Sequence, residues 1–207
     1  VIAHDRPAYL DRCLTAVHRY HPGTPTAKLL PVVVSEDREG KGKEVTAVID
    51  RAAAHLRQAG AASVEHVVFP DSGGGPPGYG RLARHYKWAL SSMFAKPGEP
   101  PRYSAAGVWV AFVPNWPAWP LGAGVQRVIV LEEDLEIAPD FFELFGATAA
   151  LLDDPAENLL AVSAFNDNGL KKLVDETADA GTLLRSDFFP GLGWMLTVRE
   201  PAFRPPR

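Results

Sequence analysis

The run Val128-Ile129-Val130-Leu131-Glu132-Glu133-Asp134-Leu135-Glu136 decides how this chain is read. A stretch rich in β-branched residues from Val125 to Leu131, continuously apolar from Val128, ends abruptly in three carboxylates. Apolar character without alternation fits a strand covered on both faces, as in a parallel sheet flanked by helices. Carboxylates crowded at one strand end cost free energy unless a cation compensates. Hard oxygen ligands of this kind suit Mg²⁺ or Mn²⁺, which keep several waters and bind a substrate's phosphates. The alternative is a solvated acidic turn, and the pattern alone leaves both open.

Working outward, strand and helix patterns alternate. Val1-Ile2-Ala3 reads as a short strand, followed by Tyr9, Leu10, Cys13, Leu14 and Val17 at helical spacing. Pro7 falls at the start of that helix, where its missing N–H costs little. Leu29 to Ser35 is a second strand, and Val45, Val48, Ile49, Ala52, Ala53 and Leu56 mark a one-sided helix. Val64 to Phe69 is a third strand, and the Gly/Pro-rich run from Asp71 to Gly78 is a loop. Arg81 to Phe94 is a helix whose expected buried stripe holds Leu82, Tyr86, Ala89, Leu90 and Met93. Asp140 to Leu152 is a helix, and Leu159 to Ala164 and Trp194 to Val198 are strands. Such alternation predicts an α/β fold on a mostly parallel sheet. Ligands of such sheets bind beyond the carboxyl ends of the strands.

Composition narrows the classes. The chain has 207 residues, 46% hydrophobic and 22% charged, which excludes a disordered or coiled-coil chain and allows one sizeable core. A net charge of −4 gives no basic field for nucleic acid. The single cysteine, Cys13, excludes an internal disulfide and a multi-cysteine zinc site, and its place on an apolar helix face predicts a core thiol. Gly40-Lys41-Gly42-Lys43 is followed by Glu44, so no P-loop is present. The opening Val1 without a methionine and the Pro-rich close from Pro201 to Arg207 both read as truncations.

Four polar clusters each follow a predicted strand: His4-Asp5-Arg6, Glu36-Asp37, Glu132-Glu133-Asp134 and Asn166-Asp167-Asn168. Taken singly, Asp5-Arg6 reads as a surface ion pair, Asp37 as a helix cap and His85 as a core histidine. Taken as a set, Arg6, Asp37 and His85 offer a guanidinium, a carboxylate acceptor and an imidazole, the groups that a uracil and ribose need beside a metal-bound diphosphate. Tyr103 to Gln126 stands apart, with Trp109, Trp116 and Trp119 and no charged side chain. Pro114, Pro117 and Pro120 interrupt it, whereas a membrane span needs roughly 20 good helical residues. It reads as an inserted loop or a translated non-coding segment, or else as a loop for a membrane surface or partner.

Several longer motifs resemble the N-acetylglucosaminyltransferase I family. They are Val1 to Arg6, Ala83-Arg84-His85-Tyr86-Lys87-Trp88-Ala89-Leu90, the acidic run Leu131 to Phe142, Val162-Ser163-Ala164-Phe165-Asn166-Asp167-Asn168-Gly169, and Ser186 to Trp194. The resemblance covers residues 1–94 and 125–198, with a Pro/Trp-rich insertion at about 97–124 and a divergent tail at 199–207; Ser186 and Met195 make it most like plant or algal members. It implies a GT-A glycosyltransferase fold, a Rossmann-like, mostly parallel sheet flanked by helices, here incomplete at the C-terminus. It also implies an inverting, Mn²⁺-dependent transfer of GlcNAc from UDP-GlcNAc. The acceptor would be the α-1,3-arm mannose of a high-mannose N-glycan, joined in β-1,2 linkage. The family works on the lumenal side of the Golgi membrane as type II membrane proteins, so any membrane contact would run through an anchor not found in this chain. Matched residue by residue, Asp134 corresponds to the metal ligand, and Arg6, Asp37, His85, Glu132, Glu133 and Leu192 to nucleotide-sugar-binding positions.

The departures carry expectations of their own. Glu133 stands where this family has Asp, and is similar to the protein O-mannose β-1,2-N-acetylglucosaminyltransferase, which is the alternative function. A non-catalytic nucleotide- or glycan-binding fragment is the more distant one. Animal members pair two cysteines in a disulfide where this chain has His4 and Arg38. The family's catalytic base is an Asp in a downstream Trp-Asp-Asp-Trp segment that this sequence does not contain. No residue here is therefore assigned as catalytic, and the chain alone is expected to bind the donor weakly or not at all and to turn over nothing.

Overall fold

The computed structural model describes residues 1–22, 30–37, 42–58, 60, 64–70, 78–94, 127–165, 172, 177, 179 and 181–197. The Asn166-Asp167-Asn168 cluster, Arg38, the segment at 97–124 and the tail at 199–207 lie outside the described residues.

Among the described residues, six strands and four helices follow one another as β1 (Ile2–Ala3), α1 (Pro7–Tyr20), β2 (Val32–Glu36), α2 (Gly42–Gln58), β3 (Val64–Val68), α3 (Tyr79–Met93), β4 (Arg127–Val130), α4 (Phe141–Asp153), β5 (Val162–Ser163) and β6 (Trp194–Thr197). Strands β1, β2 and β3 pair in parallel, with Ile2 opposite Ser35 and Ser35 opposite Val67. Strand β6 pairs antiparallel with both β4 and β5. A parallel bridge between Ile2 and Glu132, made by the Ile2 N–H on the Leu131 carbonyl at 2.8 Å, joins the two groups edge to edge. The sheet therefore reads β3-β2-β1-β4-β6-β5. Its one reversed strand has a simple cause. Strand β5 ends at the carboxyl edge and β6 begins there, hydrogen-bonded to it through the Ala164 N–H on the Gly193 carbonyl, so β6 can only run back.

Side-chain alternation sorts the helices onto the two faces. Ala3, Val34, Leu131 and Met195 face one side, where α1, α2 and α4 bury Leu10, Leu14, Val45, Ile49, Leu56, Phe145 and Leu152. Each such side chain contributes about 1.5–3 kcal/mol by leaving water. Ile2 and Val130 face the other side, against Ala89 and the half-buried Leu82, Tyr86 and Leu90 of α3. The result is a mixed α/β fold of three layers, as the alternating pattern predicts.

Two glycines make turns in the left-handed region, and the first of them lines the cavity at the site. Gly78 has φ +63° at the entry to α3, with open space where a Cβ would stand, so backbone conformation alone asks for glycine. Gly193 has φ +66° at the entry to β6, and a Cβ there would come 3.2 Å from the Phe141 ring.

Candidate functional site

Chain direction explains where the site forms. The connection after β1 leads to β2 on one side, whereas β4 lies on β1's other side, so β1 and β4 flank a topological switch point. At their carboxyl ends a cavity of about 310 Å³ opens toward the first turns of α3. It brings together Arg6, Asp37, His85, Glu132 and Glu133, five of the residues singled out in the sequence. Asp134 joins them through Arg6. Leu192 does not line this cavity; it sits 40% exposed in the turn before β6.

The three carboxylates are disposed differently. Glu133 is buried, accepting from Arg6 Nε at 2.7 Å on one oxygen and from the His4 backbone N–H at 2.7 Å on the other. Glu132 points to the α3 side and accepts from the Tyr86 hydroxyl at 2.7 Å. Asp134 is exposed and accepts from the Arg6 guanidinium at 2.9 Å through Oδ2. Arg6 thus compensates two acids at once, and the Glu133 bond, ahead of other contributions, holds its pKa above the ordinary value. Arg6 occupies the N-cap position of α1, with Pro7 just inside, and its side chain makes no cap bond because it reaches across to the β4 end. The Asp5-Arg6 surface pair expected as one reading is absent among the described ion pairs, since Arg6 turns to Glu133 and Asp134 instead.

Asp37, at the end of β2, is no helix cap. It is buried and clamped by Arg81 of α3, whose Nε lies 2.8 and 2.7 Å from its two oxygens. His4 Nδ1 lies 3.7 Å from Asp37 Oδ2, too far for a direct bond, and that buried nitrogen has no hydrogen-bond partner among the described residues. It is a polar atom that a ligand in the cavity could satisfy. His85 is fully buried, bonded through Nε2 to Ser35 Oγ at 2.7 Å and stacked on Phe69 with centroids 4.9 Å apart. Burial pushes its pKa down to about 4, so the ring is neutral at physiological pH. Burial, then the bond to Glu132, pushes the Tyr86 phenol up, so it stays a donor.

Cys13 is core, as its helix position predicts. Burial pushes its thiol up to about 11, far from the thiolate that reactivity requires.

Arg81 and Tyr86 escaped the sequence reading. Both were folded into a helix pattern, Tyr86 as a core residue and Arg81 as its first position, and their partners lie 44 and 46 residues away in sequence. A periodicity argument carries no information at that range. Tyr79, 89% exposed at the cavity rim, was missed because the helix starts two residues earlier than its apolar stripe suggests.

No ready-made metal cluster of three or more His, Cys, Asp or Glu side chains exists among the described residues. The donor chemistry of Asp134 nonetheless fits a hard cation of the Mg²⁺ or Mn²⁺ type, since such ions are held by one or two carboxylates with waters and phosphates completing the shell. No described helix is long and apolar enough to cross a membrane.

An α/β sheet with an acidic strand end and cationic side chains at its switch point agrees with what sequence comparison finds. The chain belongs to the GNT-I family, whose profile matches residues 1–108 and 122–202. It is similar to an alpha-1,3-mannosyl-glycoprotein 2-beta-N-acetylglucosaminyltransferase of Arabidopsis thaliana, with 36% identity over 200 residues. That alignment takes in 95% of this chain and 36% of the relative, so the chain spans little more than a third of that protein's length.

Proposed function

We propose that this chain is the nucleotide-sugar-binding part of a GT-A glycosyltransferase that moves GlcNAc from UDP-GlcNAc, with inversion and in β-1,2 linkage, onto the α-1,3-arm mannose of high-mannose N-glycans in the Golgi lumen. The observation that carries the reading is the cavity at the β1–β4 switch point, lined by paired carboxylates and guanidinium groups. At one end, Asp37 is an acceptor-only group held in place by Arg81, suited to N–H or O–H donors of a base or ribose. At the other, Arg6 presents a guanidinium beside the acidic strand end, suited to phosphates. Glu132, oriented by the Tyr86 hydroxyl, lines the same cavity and is the group assigned to the sugar.

Asp134 is the residue that would hold Mn²⁺, which when bound supplies charge neutralisation at the leaving diphosphate. The chain's own residues do the rest of the binding. Arg6 and Arg81 add fixed positive charge at the cavity, and His85 stays neutral beneath it. None of the described carboxylates is assigned as the base that deprotonates the mannose hydroxyl. Glu133 in the middle of the acidic triplet favours a second reading, transfer to an O-linked mannose with the same donor and metal.

Calorimetric titration of UDP with and without Mn²⁺ tests the donor site. Mn²⁺ is expected to tighten UDP binding by about tenfold or more, which is roughly 1.4 kcal/mol, and Asp134→Ala to remove that gain. Equal UDP affinity with and without the metal, in a folded protein, would remove Asp134 from the proposal.

A further inference from the structure

The two contacts of Arg6 are unlike each other. Its Nε bond goes to Glu133, which is 1% exposed and pinned a second time by the His4 backbone N–H. Its NH1 bond goes to Asp134, whose side chain is 34% exposed and holds no other described partner. The inner bond is an anchor, because breaking it strands a buried carboxylate. The outer bond is a solvent-accessible ion pair of the weak kind. The same guanidinium lines the cavity, whereas Asp134 does not.

We propose that Arg6 is a resident counter-ion that a divalent cation must displace from Asp134, and that the displaced guanidinium end then meets the ligand's diphosphate. The inference rests on the assignment of Asp134 as the metal residue. Without a ligand, Arg6 NH1 supplies the positive charge that Asp134 needs beside Glu132 and Glu133. A cation at Asp134 takes over that function and, with Arg6 still anchored through Nε, leaves two positive charges side by side. That arrangement is unfavourable until an anionic diphosphate joins both. Metal alone therefore binds weakly, and metal and diphosphate bind cooperatively, with part of the coupling carried by Arg6.

Mn²⁺ binding to the 207-residue chain, read from the electron paramagnetic resonance signal of free Mn²⁺, tests this with and without inorganic pyrophosphate. Arg6→Gln is expected to tighten binding of Mn²⁺ alone by about fivefold and to weaken the enhancement that pyrophosphate gives. Arg12→Gln is the control for general charge, because Arg12 pairs with Glu136 at 3.3 Å and leaves Asp134 untouched. It should leave Mn²⁺ affinity unchanged. Where Arg6→Gln fails to fold because Glu133 is stranded, Glu133→Gln alone is compared with the double variant Arg6→Gln with Glu133→Gln, and the same tightening is expected between those two. Asp134→Asn separates the two layers of the argument. If Asp134→Asn abolishes Mn²⁺ binding while folded Arg6→Gln leaves affinity unchanged or weaker, the metal assignment stands and the counter-ion proposal is overturned. If Asp134→Asn binds Mn²⁺ like the parent chain, both are overturned.

Discussion

Arg81→Ala is expected to lower the unfolding free energy by about 3 kcal/mol and to abolish nucleotide binding. Asp37 has a side chain only 6% exposed, and Arg81 contacts both of its oxygens. Removing one partner of a buried ion pair costs about 3–5 kcal/mol, because the other charge remains in a poorly solvated place. Arg81 itself is 22% exposed, which puts the expectation at the lower end of that range. His4, at 3.7 Å, is too distant to take over. Urea denaturation of Arg81→Ala, Asp37→Asn and the double variant separates pair from parts. The double variant should recover much of the loss, since it leaves no unpaired carboxylate, and its departure from additivity measures the coupling. A loss below about 1 kcal/mol for Arg81→Ala would mean that the pair behaves like a solvated surface contact. Nucleotide affinity should fall in all three variants, because each removes the oriented acceptor.

The same residue shows where sequence reading stops. Strand β4 and the acidic triplet could be read because apolar continuity followed by charge is a local pattern, and it also places the carboxylates at a sheet edge. Helices α1 and α2 could be read because their buried residues, Leu10, Cys13, Leu14 and Val17, then Val45, Val48, Ile49, Ala53 and Leu56, recur at helical spacing. Helix α3 was harder. Of its expected stripe of Leu82, Tyr86, Ala89, Leu90 and Met93 only Ala89 is buried and the others are half buried, whereas His85 and Ser92, outside the stripe, are buried too. The helix lies beside the carboxyl edge of the sheet, so its deepest face meets polar groups such as Ser35 as well as apolar ones. Hydrophobicity cannot see a polar residue buried for a polar partner.

Strand β5 was overread for a different reason. Leu159 to Ala164 is apolar enough for six residues, yet only Val162–Ser163 pairs. Asn158 has φ +47°, and Leu160 is 78% exposed, so the chain is still turning when the apolar run begins. At the site, Arg6, Asp37, His85, Glu132 and Glu133 line one cavity because each follows a strand or lies on the helix beside it. Their pairing was not legible. Whether Arg6 meets Asp5 or Glu133 depends on the join between β1 and β4, a contact across 127 residues.

Acid should unfold the parent chain more readily than His85→Gln. Folding lowers the His85 imidazole from the ordinary 6.5 to about 4, chiefly because burial strips water from its charged form; Asp37 opposes this, and His4 and Arg81 add to it. Between those two values the unfolded chain carries a proton that the folded chain does not, so stability rises with pH across the window. The contribution is fully present above about pH 6.5 and is lost as pH falls toward 4. A difference of that size corresponds to about 3 kcal/mol, to order of magnitude. His85→Gln retains an amide able to bond Ser35 Oγ but has no proton to gain. Its unfolding free energy, measured in urea from pH 7 to pH 4, should fall less steeply by nearly one proton's worth. Carboxylates elsewhere contribute to both proteins alike and cancel in the comparison. Parallel curves would mean that His85 titrates as it does in water and would overturn the argument from its burial. The neutral ring also bears on the site itself. At physiological pH the fixed positive charge at the cavity therefore comes from Arg6 and Arg81, not from His85.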